Sequence, residues 1–264
     1  MYLALGQSPT PGTAPASLAL TRVQRADWIP FRWICRIVTR SHDRSGFSVG
    51  TGFLIGPHHV LTAAHVISPI EAPSTASITV YPGQNGESAS GIAANGWAIS
   101  PGYRTTDCRT VGEDYGIIRL ARAVTGGAFS LAPVTPATAA NLVVNLAGYP
   151  ATRDRHARLM FRSLGRLGVP LRIDACTREI PSDGSPVRET IRATTVANGT
   201  LVHHDLDSAK SMSGGPMWIL RDGVRTVVAL HTGRVAQVRK AILLDATVQA
   251  RVGRWMTDTL PPLP

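Results

Sequence analysis

No uninterrupted run of eighteen apolar residues occurs anywhere in this 264-residue chain, so no segment is long enough to cross a bilayer as a helix. Cysteine is scarce too. Cys35, Cys108 and Cys176 allow one internal bridge at most, which excludes a disulfide framework. Cys35 lies in an apolar, strand-like stretch and reads as a buried thiol. None of the three sits in the glycine-rich turn that a cysteine nucleophile would occupy. Aromatic residues are only 6% of the chain, whereas 25 Gly and 19 Pro are present. Turn formers at that density, between short apolar runs, point to many strands rather than long helices. Acidic residues are outnumbered 17 to 27, for a net charge of +10. Lys210 and Lys240 are the only lysines, and the arginines are scattered along the chain. They are densest from Arg153 to Arg172, where Leu159, Met160 and Phe161 interrupt them. A basic chain admits an acidic partner. Here the scatter, and the lack of a nucleic-acid-binding motif, fit the codon usage of a GC-rich genome better. No nucleic acid, metal or cofactor is expected.

The chain opens MYLALGQSPTPGTAPASLAL, without a basic start and with its apolar stretch broken by Gly6, Pro9 and Pro11. That is a poor secretory signal. Residues 1–27 are expected to form a disordered tail or pro-segment, with Arg22 and Arg25 as processing points. The protein is cytoplasmic if Met1 is the native start, and secreted if a leader has been removed. Beyond the tail, 44% apolar content suffices for a real core. Strands are expected at Phe31–Thr39, Phe47–Ile55, Val60–Leu61, Ala76–Tyr81, Ile92–Ile99 and Tyr115–Leu120. A stretch rich in Ala, Thr, Pro and Gly, from Ala121 to Asn141, reads as a connection between halves. A second series follows at Leu142–Gly148, Leu167–Ala175, Glu189–Val196, Pro216–Leu220, Val224–His231 and Ala241–Asp245. Many short strands with turns between them indicate a sandwich or barrel. Val248, Val252, Trp255, Met256 and Leu260 fall at helical spacing, so the chain should end in an amphipathic helix stopped by Pro261-Pro262. The division expected is 28–132 and 133–264.

Three segments carry chemistry together. Thr62-Ala63-Ala64-His65-Val66 follows a buried strand, Asp114 leads into the apolar Tyr115–Leu120, and Ser211-Met212-Ser213-Gly214-Gly215-Pro216 is a tight turn before another strand. A serine hydroxyl is a weak nucleophile and needs a base to take its proton. A neutral histidine is such a base near pH 7. A buried carboxylate fixes the histidine tautomer and stabilises the imidazolium that forms. Glycines after Ser213 permit a sharp turn and close approach of a carbonyl. The backbone N–H groups of Ser211 and Ser213 are the candidate oxyanion donors. Each motif alone is ordinary. The order His65, Asp114, Ser213, at separations of 49 and 99 residues and each at a strand edge, is not.

At these residues the chain resembles the trypsin/chymotrypsin-like serine proteases, and more closely their bacterial glutamyl-endopeptidase-like branch. The likeness runs from Gly50-Thr51-Gly52-Phe53-Leu54-Ile55 into Val60–His65, through Asp114–Ile118 and Gly148-Tyr149-Pro150, to Asp205–Ser208, Ser213-Gly214-Gly215-Pro216 and Leu230-His231-Thr232-Gly233. The resemblance implies an all-β fold of two antiparallel six-stranded β-barrels with the active site between them, plus a C-terminal helix. It also implies serine endopeptidase activity on protein or peptide substrates. Two departures stand out. Ser211 replaces the usual glycine, and its Cβ works against turning that N–H into an oxyanion hole. Met212 replaces an acid, so activation by a freed N-terminus pairing there cannot operate. For the primary pocket, the resemblance points to Asp207, Ser208, Lys210, His231, Thr232 and Arg234. Ser208 and His231, five before and eighteen after Ser213, match the offsets of glutamate-cleaving members. Asp207 stands where a basic-residue preference would need it, and is expected to pair with Arg234. Cleavage after acidic residues is favoured, with basic or small residues as the alternatives. The competing readings are a catalytically inactive protease-like binding module and a nucleic-acid-binding barrel. Nothing in the sequence sets an oligomeric state.

Overall fold

The computed structural model describes residues 18–41, 47–68, 75–179, 188–235 and 238–261. In chain order the strands are β1 (Leu18–Arg22), β2 (Ile34–Ser41), β3 (Phe47–Gly56), β4 (His59–Thr62), β5 (Thr75–Pro82), β6 (Ile92–Ile99), β7 (Gly116–Leu120), β8 (Ser130–Leu131), β9 (Val143–Gly148), β10 (Phe161–Glu179), β11 (Arg188–Thr195), β12 (Leu201–His204), β13 (Pro216–Arg221), β14 (Val224–Val235) and β15 (Val238–Leu243). The helices are α1 (Ala64–Ile67), α2 (Pro136–Ala139) and α3 (Ala246–Thr257).

Six strands close a first barrel in the order β2-β3-β4-β7-β6-β5. β-branched and large apolar residues fill it: Ile34, Ile37, Phe53, Leu61, Val80, Ile117 and Ile118 are essentially inaccessible. The second barrel runs β10-β12-β15-β14-β13-β9 and closes through β9 against β10, all antiparallel. Closure pairs the barrel strands on both sides over most of their length, and the stretches that run past a neighbour take further strands, β1 on β10 and β8 on β14. The two meet over an aromatic cluster in which Phe129 lies edge-on to Phe53 at 5.8 Å and to Trp33 at 5.3 Å, and tilted on Trp218 at 5.6 Å. Such pairs contribute about 0.5–1.5 kcal/mol each beyond the area they bury. The expected two-barrel architecture and terminal helix are what the chain adopts. In α3, Asp245 caps the N-terminus by accepting from the Val248 N–H, Val248 and Val252 are buried, and Trp255 rests on Tyr115.

Several local expectations are corrected. Ordered chain does not begin near Trp28: Leu18–Arg22 is a strand paired with β10, and Val23 and Ala26 are buried. Residues 1–17 of the expected tail lie outside the described residues. Strand β10 runs to nineteen residues, far beyond Leu167–Ala175, because its first half closes the barrel while its second half pairs with β11 in a projecting hairpin. Cys176 on that hairpin is bonded to Cys108, 68 residues earlier, just before the aspartate segment. A bridge closing a loop of that size contributes about 4 kcal/mol in the chain-entropy account. Cys35 is the free, buried thiol expected, and burial pushes its pKa well up.

Candidate active site

β4 ends at Thr62, and the small, buried Ala63 and Ala64 let the chain turn tightly into α1, which carries His65. Asp114 sits at the end of a short 3-10 turn, Cys108–Glu113, where β7 begins. One carboxylate oxygen accepts from the His65 backbone N–H at 3.0 Å, and the other meets His65 Nδ1 at 2.7 Å. An ionised carboxylate only accepts, so Nδ1 carries the proton and Nε2 keeps its lone pair. Asp114 is 2% exposed. Burial pushes its carboxyl pKa up, but the charge and hydrogen bonds of His65, with the charge of Lys240, outweigh that and hold it below the usual carboxylate range.

The neighbours of Asp114 are clamped from α3. Arg251 donates to Ser100 Oγ at 2.7 Å, to Glu113 Oε2 at 2.8 Å and to the Tyr115 hydroxyl. Nothing in the helical periodicity singles this arginine out. Replacing Arg251 with alanine is expected to lower kcat about tenfold and stability by about 1–3 kcal/mol, because half-buried acceptors lose their donor. Lysine should recover part of both. A loss of melting temperature with kcat unchanged would show that the clamp serves the fold alone.

Ser213 lies in the turn between β12 and β13. Here the Lys210 carbonyl accepts from Ala151 N–H at 3.0 Å, and the Met212 carbonyl from Gly215 N–H at 2.9 Å. In a planar trans peptide the N–H opposes the C=O. The Ser211 N–H therefore points away from Ala151, and the Ser213 N–H away from Gly215. Neither amide has an acceptor among the described residues. Ser211 takes φ +75°, the left-handed region that favours glycine, so its Cβ does not prevent the turn. That conformation costs roughly 1–2 kcal/mol. It is held by the Lys210–Ala151 bond and by Thr51 Oγ1, which donates to the Ser211 carbonyl at 2.9 Å.

Thr51 ties the barrels together at this point. Its N–H donates to the Ser213 carbonyl at 2.8 Å, its hydroxyl accepts from Tyr149 N–H at 3.1 Å, and its carbonyl accepts from Thr62 Oγ1 at 2.6 Å. Thr51 and Tyr149 both lie in the quoted motifs, but their joining role was not legible there. The turn is further fixed by Gly214 N–H donating to the His231 carbonyl at 2.7 Å and His231 N–H to the Gly215 carbonyl at 2.9 Å. Among the described residues, His65 hydrogen-bonds to Asp114 and not to Ser213. Bonds between nucleophile and base commonly close only when substrate is bound.

The residues expected to line the pocket separate into two groups. The Asp207 carboxylate accepts from Leu20 N–H in β1 at 3.1 Å and from Arg239 at 3.4 Å. It is paired with Arg239, not with Arg234 as expected; Arg234 is exposed and lies opposite Arg239 in the β14–β15 register. A trypsin-like use of Asp207 thus has its carboxylate already engaged. Ser208 is half-buried and Lys210 exposed. His231 and Thr232 are buried. His231 Nδ1 lies 3.0 Å from Nε2 of His204, a residue the sequence did not mark. Burial drives the His231 pKa well below the ordinary histidine value and brings that of His204 to about 3. The pair is therefore neutral at pH 7. Thr232 receives the ammonium of Lys240, at 3.3 Å on its carbonyl and 3.5 Å on its hydroxyl.

Residues 22–248 match the family model described as Trypsin. The chain is 29% identical over 175 residues to a glutamyl endopeptidase of Bacillus licheniformis, covering 62% of this chain and 52% of the relative, so it spans about half of that relative's length. Among solved structures it is similar to a Glu endopeptidase, with TM-score 0.67 and 19% identity over 91% of this chain and 97% of that one. It is also similar to a thermostable serine protease from an extremophilic microorganism, with TM-score 0.59 and 14% identity over 86% and 98%. At these identities the solved structures speak to the fold. No described helix is long and apolar enough to cross a membrane.

Proposed function

The chain belongs to the trypsin family, and from that premise we propose that it is a serine endopeptidase that cleaves peptide bonds through an acyl-enzyme on Ser213. The observation carrying this reading is the pair of hydrogen bonds that His65 donates to the Asp114 carboxylate, from its backbone N–H and from Nδ1, which leaves His65 Nε2 as an acceptor. Ser213 Oγ attacks the scissile carbonyl carbon as Nε2 takes its proton, and the carbonyl π pair moves onto oxygen. The Ser211 and Ser213 N–H groups receive that oxyanion. The imidazolium, stabilised by Asp114, gives its proton to the departing amine as the C–N bond breaks. Water then repeats the sequence on the ester, releasing the acid and restoring Ser213. Substrates are proteins or peptides, and no cofactor enters.

We further assign a preference for cleavage after acidic residues. It is supported by Ser208 and His231 at their two offsets, by the engagement of Asp207 with Arg239, and by the glutamyl endopeptidase relative. A peptide library with sequenced products tests both parts. The expected result is cleavage on the carboxyl side of Glu or Asp, absent with Ser213→Ala. Cleavage after Arg or Lys would overturn the preference; cleavage persisting in Ser213→Ala would overturn the nucleophile.

A further inference from the structure

We propose that a cavity against the outer face of the first barrel binds a small tetrahedral oxyanion of the phosphate class between Arg36 and Arg158. The cavity holds about 310 Å³ and is lined by Arg36, Tyr81, Gln84, Glu87, Ala89 and Arg158, none of them among the candidate catalytic or pocket residues. Its volume lies at the small end of ligand sites, which run from about 300 to 1,000 Å³. Binding there is independent of peptide cleavage.

Arg36 in β2 is directly paired with Thr51 in β3 and with Tyr81 in β5, in stretches free of register shifts. Its neighbours Cys35 and Ile37 belong to the buried core, so alternation along the strand turns Arg36 to the outer face of the barrel. Tyr81 stands beside it there, with the Arg36 guanidinium 5.4 Å from its ring centroid. Arg36 is nonetheless only 6% exposed. Its Nε and Nη2 both donate to the His156 carbonyl, in the loop that follows β9, at 3.2 and 2.9 Å. Nη1, with two N–H groups, has no acceptor among the described residues, on a side chain that lines the cavity. A guanidinium does not shed its proton, so its unused end presents a fixed charge and two donors to the cavity.

Arg158 supplies the second arm. Its backbone is held at both ends: the N–H donates to Asp154 Oδ2 at 2.6 Å, and the carbonyl accepts from Gly86 N–H at 3.0 Å. Its Nη1 reaches Glu87 at 2.8 Å, but the Glu87 side chain is 88% exposed, so that pair lies towards solvent. Arg158 Nη2 has no acceptor among the described residues. The Asp154 carboxylate is already engaged by the backbone N–H groups of His156 and Arg158. Two guanidiniums thus share one cavity with a single, exposed acid at its margin. Burial lowers the pKa of Arg36, and the charge of Arg158 adds to that. An oxyanion accepting from Arg36 Nη1 and Arg158 Nη2 offsets this repulsion through charge-assisted bonds. The Tyr81 hydroxyl, likewise without a hydrogen bond among the described residues, is a third donor. Three donor groups suit a tetrahedral oxyanion better than a carboxylate, which has only two oxygens.

Titration calorimetry of the whole protein with sodium phosphate, beside sodium chloride at matched ionic strength, tests this. Wild type should bind phosphate at a single site with a Kd of about 1 mM, and chloride should show no saturable binding. Arg158→Met should weaken phosphate binding about tenfold, and Arg36→Lys, which loses the planar fork, by about the same factor. Arg153→Met removes one charge from an exposed position of the same loop, and should change the Kd by less than about twofold. Glu87→Gln releases Arg158 and should tighten binding about threefold; as a change at an exposed side chain, it reads the site even if the arginine variants do not fold. Wild type without saturable phosphate binding would overturn the site. Equal losses in Arg153→Met and Arg158→Met would overturn it too, since net charge alone would then explain the attraction, and so would weaker binding in Glu87→Gln.

Discussion

Asparagine in place of Asp114 is expected to lower kcat by about four orders of magnitude while the protein stays folded. The two side chains have the same shape, so the bond from His65 N–H to an oxygen can persist. The other terminal atom becomes an NH2 donor facing His65 Nδ1. Two donors cannot share that contact, so Nδ1 must give up its proton and Nε2 must carry it. The ring then presents a hydrogen to Ser213 where a lone pair is needed. The charge that stabilises the imidazolium is lost as well. The pH behaviour follows from the depressed carboxyl of Asp114. A carboxyl held below its unfolded value stabilises the fold fully above about pH 3.9, and that contribution is lost as pH falls through the depressed value. The stability gap between wild type and Asp114→Asn at neutral pH should therefore shrink below about pH 4. Steady-state kinetics and acid-unfolding curves check the two parts. A loss in kcat under tenfold would mean that Asp114 does not set the tautomer of His65.

Alanine at Gly214 is expected to be the most damaging single-methyl change among the described glycines. Its Cβ would lie 1.9 Å from the Thr51 carbonyl oxygen and 2.2 Å from Thr62 Oγ1. The Thr51 carbonyl cannot retreat, because its strand is held on both sides in the barrel ladder, and Thr62 Oγ1 could turn away only by giving up its bond to that carbonyl. The residue also holds φ +88°, where an L side chain is strained. Overpacking costs about 1–3 kcal/mol and backbone strain a further 1–3 kcal/mol, so a loss of about 2–6 kcal/mol is expected. The turn cannot relax without moving the Ser211 and Ser213 amides, so activity should fall below detection even where the variant folds. Urea unfolding and peptide turnover measure this. An active variant within 1 kcal/mol of wild type would show that the turn is not braced against Thr51 and Thr62.

The sequence is most legible where the determinants are local. Ile92–Ile99 has the predicted bounds, since its apolar spacing lies between clear turn formers. His65, Asp114 and Ser213 could be singled out because each lies at the end of an expected strand, whereas the strand series alone indicated a sandwich or barrel and two-barrel closure came from the resemblance. What escaped depends on partners far along the chain. Leu18–Arg22 is a strand only because β10 offers it an edge, and β10 is long only because it serves the barrel and the hairpin at once. Arg234 was named as the partner of Asp207 and Arg239 takes that place, because the pairing depends on how β14 and β15 lie against Asp207, which is not written locally. Ser211 shows another limit. A serine where glycine is usual looked obstructive, yet neighbouring hydrogen bonds hold it in the glycine conformation.

The most direct test of Ser213 as nucleophile is mass spectrometry of the folded protein after treatment with a fluorophosphonate. A single adduct per chain is expected, mapping to the peptide that contains Ser213, absent in Ser213→Ala and slowed in Asp114→Asn. An adduct at another residue, or no adduct on wild type whose melting matches that of Ser213→Ala, would contradict the assignment.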